Sequence, residues 1–141
     1  MPLKLSLKPG ERFVVNGAVL QNGDRRAVLL LQNKASILRE KDIIQPEDVN
    51  TPGRRIYFPI MMMYLEPGEA NRYYDEFVLR LNEFMGAIRS TEILKECVSL
   101  SREVMAADYY KALTRCRKLL AYEQGLLGNV DPGLPEHGKE D

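Results

Sequence analysis

Histidine is almost missing from this 141-residue sequence: the single one, His137, stands near the C-terminal end. Ser-His-Asp and Cys-His arrangements and multi-histidine metal sites all need an imidazole held rigidly, so no catalytic or metal-binding residues are expected. Only two cysteines occur, Cys97 and Cys116, too far apart for a redox pair or a zinc knuckle, and they read as free buried thiols. Phosphate-binding glycine loops, nucleophile elbows and dinucleotide fingerprints are absent, so no cofactor is expected. Carboxylate pairs such as Glu40 with Asp42 and Asp75 with Glu76 fit a solvated surface better than acid-base machinery, because no cleft accompanies them. A non-enzyme is the expectation.

Long apolar runs are missing too. The longest, Ile56 to Leu65, has ten residues, about half of the ~20 a membrane-spanning helix needs, so it should be buried in protein. The opening Met1-Pro2-Leu3-Lys4 has no basic stretch followed by an apolar segment and a small-residue cleavage site. A cytoplasmic protein with no membrane partner follows as an expectation.

What is present is ordinary globular material, 45% hydrophobic and 28% charged. The net charge of zero conceals an asymmetry. Residues 1–58 hold ten Lys or Arg against six Asp or Glu, and the remainder carries the compensating acidic excess. A basic first half is a weak pointer to a polyanion, since clustered cations release counterions from phosphates.

The first half reads as short strands and turns. Leu3-Lys4-Leu5-Ser6-Leu7 alternates at period two, placing the leucines on one face and Lys4 and Ser6 on the other. Further strands are expected at Arg12 to Val15, Ala18 to Gln21, Ala27 to Leu31 and Ala35 to Arg39. Asn16-Gly17 and Asn22-Gly23 lie between apolar runs and both signal hairpins, so an antiparallel meander is expected. Ala27-Val28-Leu29-Leu30-Leu31 lacks alternation, which predicts a strand covered on both faces. So small a sheet is marginal alone, and the helical half or a second subunit should complete it.

From Thr51 the period changes to that of helices. Thr51-Pro52 suits an N-cap and first helical position, and the helix should continue to Leu65 with a kink or division at Pro59. Ala70, Tyr73, Phe77, Leu81, Phe84 and Ile88 trace one apolar stripe. Two more follow, through Leu94, Cys97, Val98 and Val104, and through Tyr109, Leu113, Cys116 and Leu120. Breaks are expected near Ser90-Thr91 and, less sharply, at Ala107-Asp108, since two alanines do not stop a helix. The expected fold is therefore α+β, with a small N-terminal antiparallel β-sheet of about five short strands followed by a C-terminal helical bundle. Its parts would be a β unit over 1–50, a bundle over 51–130 and a flexible tail over 131–141.

Three groups of residues invite a functional reading. Met61-Met62-Met63 fits either an irregular core, which is favoured, or an adaptable partner groove. Tyr73-Tyr74 and Tyr109-Tyr110 could stack on bases, although one ring of each pair falls on an apolar stripe. The basic residues of the sheet are more informative. If the first and last strands are neighbours, Lys4, Lys8 and Arg39 gather at one edge and suit a phosphate backbone, most naturally of single-stranded RNA.

Several long segments carry a resemblance. They include Pro2 to Glu11, Asn16-Gly17-Ala18, Asn22 to Ala27, Leu30 to Asp42, Thr51 to Phe58 and Met61 to Leu65. Over nearly the whole chain the sequence resembles the FlbT family of flagellum biosynthesis repressors. The resemblance implies a post-transcriptional regulator that binds the 5′ untranslated region of flagellin mRNA and promotes its degradation, alongside the flagellar regulator FlaF. Some relatives activate flagellin synthesis instead. The first 45 residues are also similar to the RNA-binding carbon storage regulator CsrA, whose contacts come from the first and last strands of an interleaved dimer. Leu5 to Glu11 and Ile37 to Lys41 occupy the matching places. That likeness implies RNA contacts at Ser6, Lys8, Leu38 and Arg39, to which the charge pattern adds Lys4, and it allows a homodimer. Leu7 and Leu38 stand where that family has arginine and histidine, so groove geometry does not carry over.

The leading expectation is an RNA-binding repressor. Its rival is an adaptor or chaperone in which the methionine-rich helix and the acidic helices grip flagellin or FlaF.

Overall fold

Leu3 to Leu7 form β1, and Arg12–Val15, Ala18–Gln21, Ala27–Leu31 and Ile37–Arg39 form β2 to β5. Four helices follow, α1 over Pro52–Leu65, α2 over Ala70–Ala87, α3 over Thr91–Met105 and α4 over Tyr109–Val130. The class is α+β, as the change of period predicts. The computed structural model describes residues 3–130, with side chains as far as Leu126, so the tail expected at 131–141 lies outside the described residues.

The strands do not form a meander. They make two small antiparallel sheets, β1 with β4 and β3-β2-β5. The two Asn-Gly dipeptides explain the difference. Asn16 and Gly17 have φ of 50° and 84°, the left-handed pair a type I′ turn requires, and they close the β2–β3 hairpin. Asn22-Gly23 is instead stitched to the β1–β2 turn. The Asn22 side-chain amide donates to the carbonyls of Lys8 and Arg25, each at 2.8 Å, and the N–H of Gly10 donates to the Gly23 carbonyl at 2.8 Å. The chain therefore leaves β3 and returns along β1, setting Leu5 opposite Leu29 and Leu7 opposite Ala27.

The expectation that β4 is covered on both faces is corrected. Val28 is 56% exposed and Leu30 58%, with Leu29 also exposed. The helices pack over the other sheet, through Val14 of β2 and Leu38 of β5, which belong to the continuous hydrophobic core.

Helix α1 forms the middle of that core. The Thr51 side chain caps it by accepting from the Arg54 N–H, and Pro52 occupies the first turn. Ile56, Tyr57, Ile60, Met61 and Met63 are all buried, so the helix is apolar nearly all round and needs neighbours on every side. Met61 and Met63 are core residues. Of the kink or division expected at Pro59, division does not occur: α1 runs unbroken from Pro52 to Leu65, and Pro59 is itself fully buried, so core packing offsets the hydrogen bond its ring removes. The apolar stripes supply the surrounding walls. Phe77, Leu81 and Phe84 come from α2, Cys97, Leu100 and Val104 from α3, and Ala112, Leu113, Cys116 and Leu119 from α4. Both cysteines are free, and burial pushes the Cys97 thiol up to about 11, which keeps it protonated and inert.

Two alanines do end α3. Ala107 adopts φ of 59°, its N–H donates to the Val104 carbonyl and the Asp108 N–H to the Glu103 carbonyl, each at 2.9 Å. This is a Schellman closure made with alanine where glycine is usual.

Candidate nucleic-acid interface

The turn after β1 and the end of β5 are locked together by one guanidinium. Arg39 Nε donates to Glu11 Oε2 at 3.0 Å, and Nη2 donates to Glu11 Oε1 at 2.9 Å and to the Ser6 carbonyl at 2.6 Å. The Lys8 N–H donates to the same Glu11 carboxylate at 2.9 Å, and the Arg12 N–H reaches Glu40 at 2.7 Å. That Lys8 hydrogen bond, with the Arg39 guanidinium beside it, holds the Glu11 carboxyl below its usual range. β1 and β5 share no ladder, so Arg39 does the joining that adjacency was expected to do.

Lys8, Arg39 and Lys41 consequently line one cleft of about 640 Å³, with Glu11 and Glu40 on its walls. Among the described residues no carboxylate pairs with Lys8 or Lys41, whereas the charge of Arg39 is neutralised by Glu11. The other expected contacts lie elsewhere. Lys4 and Ser6 are exposed on the opposite face of β1 from the buried Leu5 and Leu7, and they stand opposite Leu30 and Val28 of β4. Leu38 is 1% exposed and paired with Val14, because alternation along β5 turns it inward; its side chain is not available to RNA in this chain. Lys8 and Arg39 thus meet, and Lys4, Ser6 and Leu38 do not join them.

A second cavity, of about 790 Å³, lies between β5 and the helices. Lys34, Arg39 and Lys41 line it from the strand side, and Tyr64, Tyr110 and Arg117 from α1 and α4. Tyr110 is 49% exposed, and its ring lies 5.6 Å from that of Tyr64. Arg117 was not singled out from the sequence. A signal existed: Tyr110 and Arg117 are seven positions apart, two turns of one helix, and so share a face.

A family model described as "Flagellar protein FlbT" matches residues 3–127, spanning both sheets and all four helices. The chain belongs to the FlbT family. It is 62% identical to the probable flagellum biosynthesis repressor protein FlbT of Caulobacter vibrioides (strain NA1000 / CB15N) over 98% of each chain. It is 39% identical to the protein of the same printed name from Rhodopseudomonas palustris (strain TIE-1), over 90% of this chain and 98% of that one. With the probable flagellum biosynthesis repressor protein FlbT 1 of Bradyrhizobium diazoefficiens it shares 36% identity, over 96% of this chain and 92% of the relative. No solved structure matches the chain. Among the described residues no FlbT helix is long and apolar enough to cross a membrane.

Proposed function

We propose that this FlbT chain is a cytoplasmic, post-transcriptional repressor of flagellin synthesis. It binds the 5′ untranslated region of flagellin mRNA and promotes degradation by remodelling the leader or exposing it to a nuclease, with no covalent chemistry of its own. The observation that carries the reading is the convergence of Lys8, Arg39 and Lys41 on one cleft, where these three cations outnumber the carboxylates of Glu11 and Glu40. Cations clustered at turns and strand ends attract a phosphate backbone and release its counterions. The repressor names of the relatives supply the direction of regulation. Two copies would meet through the exposed β4, whose Val28, Leu29 and Leu30 are only partly covered within one chain.

A salt titration of leader binding by gel shift tests this. The logarithm of affinity should fall linearly with that of salt concentration, with a slope of about −0.7 per phosphate contacted. A protein that leaves the leader unshifted at low salt is not an RNA-binding repressor.

The exposed β4 also favours a second reading, an adaptor holding flagellin or FlaF. Met61 and Met63 are enclosed, so such a partner would meet β4 rather than the methionine helix. Capture of flagellin or FlaF that survives ribonuclease treatment, with no measurable leader affinity, would favour this reading.

A further inference from the structure

The cavity between β5 and α4 has the chemistry of a nucleotide site. Its charge is lopsided: Lys34, Lys41 and Arg117 contribute cations beyond the Arg39–Glu11 pair, and Asp42 is its one acidic lining residue. Arg117 is the unusual member. Its Nη2 lies 3.2 Å from Asp42 Oδ2, yet Nη2 and Nε are both buried without a hydrogen-bond partner among the described residues. The contact with Asp42 is an ion pair by distance, the Tyr57 hydroxyl stabilises the same guanidinium, and 32% of the Arg117 side chain stays open to solvent. The exposed part of that charge, together with Lys34 and Lys41, is what the cavity offers an anion.

The neighbouring tyrosines differ in a way that matters. Tyr64 is a fixed wall, since its hydroxyl donates to the Ile37 carbonyl at 2.9 Å and accepts from the Ile37 N–H at 2.8 Å. Tyr110 is half open to solvent on the same face of α4 as Arg117, which leaves ring surface for an aromatic ligand. A volume of about 790 Å³ falls within the ~300–1,000 Å³ typical of small-molecule sites.

We propose that this cavity binds a single nucleotide, with the phosphate drawn to Arg117 and Lys41 and the base stacked on Tyr110. The proposal deepens the RNA reading, since the nucleotide could be one splayed unit of the leader, but a free nucleoside monophosphate offers the same chemistry. Neither source requires a covalent step.

The test uses the full chain and four probes: the adenosine, guanosine, cytidine and uridine 5′-monophosphates. Nucleosides without phosphate and inorganic phosphate alone serve as controls, with binding followed by calorimetry and by tyrosine ring-proton NMR. At least one monophosphate should shift the Tyr110 resonances and bind more tightly than either control. Tyr110→Leu, at an exposed position that the fold does not need, should weaken it by about tenfold, the usual worth of one stacked base. Lys41→Ala should weaken the monophosphate but not the nucleoside. Arg117→Ala would leave Asp42 without its partner and could unfold the chain, so the two exposed variants carry the test.

Displacement of the nucleotide by leader RNA identifies the site as an RNA subsite; binding without displacement identifies a free nucleotide as the ligand, and both support the cavity. If no monophosphate moves the Tyr110 resonances, or Tyr110→Leu binds as tightly as wild type, the proposal is overturned even where leader binding persists. Nucleotide binding by a protein that never shifts the leader would sink the RNA reading and leave the cavity standing.

Discussion

The Arg39 guanidinium closes on the Glu11 carboxylate across 28 positions of sequence, with contacts of 3.0, 2.9 and 2.9 Å. Its second partner is the Ser6 carbonyl, so a single side chain ties β5 to β1 and to the turn that carries Lys8. Arg39 is therefore a strap first, whereas the neighbouring Lys8 is a solvent-facing charge.

Lys8→Ala and Arg39→Ala should then fail in different ways. Lys8→Ala should keep the wild-type melting temperature, weaken leader binding and flatten the salt slope by about 0.7. Arg39→Ala should lose stability by about 1 kcal/mol, the pair being partly exposed and screened, and lose affinity because the cleft loosens. Thermal circular dichroism beside a salt titration separates the two. Equal melting losses in both variants would remove the distinction between strap and contact.

The same pair has a pH signature. The folded Glu11 carboxyl lies below its ordinary 4.5, chiefly through the Lys8 N–H and then through Arg39. A depressed folded value means that the stabilisation is fully present above the unfolded value and disappears as pH falls through the folded one. Melting curves from pH 6 down to pH 3 should show a steeper acid loss in wild type than in Glu11→Gln. Parallel profiles would show that Glu11 contributes nothing to acid stability.

Gly53 and Glu123 make the corresponding joint in the helical half. The Gly53 N–H donates to Glu123 Oε2 at 2.8 Å and the Thr51 hydroxyl donates to Oε1 at 2.6 Å, so a carboxylate from α4 caps the start of α1. A β-carbon on Gly53 would stand 2.8 Å from Glu123 Oε1, closer than atoms tolerate, and 3.0 Å from Leu120, a tight contact. Glu123→Ala strands a buried N–H and removes a negative charge from a helix N-terminus, which should cost about 1–3 kcal/mol. Gly53→Ala should cost a similar amount by forcing that carboxylate away. Denaturant melts should show lower midpoints for both, and the double variant should lose less than the sum because the two act at one joint.

The secondary structure was legible wherever local chemistry decides it. Leu3–Leu7 alternates, Asn16-Gly17 can adopt positive φ twice, and Thr51-Pro52 can start a helix without any neighbour's help. The pairing of strands was not legible. It depends on Asn22 bonding to both Lys8 and Arg25, which Asn-Gly alone does not reveal. For the same reason the candidate contacts separate. Period two correctly places Lys4 and Ser6 on one face of β1, but the same rule turns Leu38 inward once β5 pairs with β2, and a match by position cannot see that. Arg117 escaped notice because its cavity is assembled from β5 and α4, whose meeting no local pattern announces.

The exposure of β4 yields the last prediction. Its sequence, Ala27-Val28-Leu29-Leu30-Leu31, is that of a strand covered on both faces, yet one chain covers it only in part. An uncharged strand at a sheet edge is a template for pairing, and natural sequences usually protect one with charge. No charged residue interrupts this run, although Arg25 and Arg26 stand just before it. If two copies cover each other here, sedimentation equilibrium should give about twice the 16.1 kDa of one chain. Replacing Val28 with Lys and Leu30 with Glu should return the mass to that of one chain without lowering helix content, since neither residue belongs to the core around α1. A wild-type protein of single-chain mass at tens of micromolar would show that β4 is left for a different partner, and the ribonuclease-resistant capture of flagellin or FlaF would become the decisive measurement.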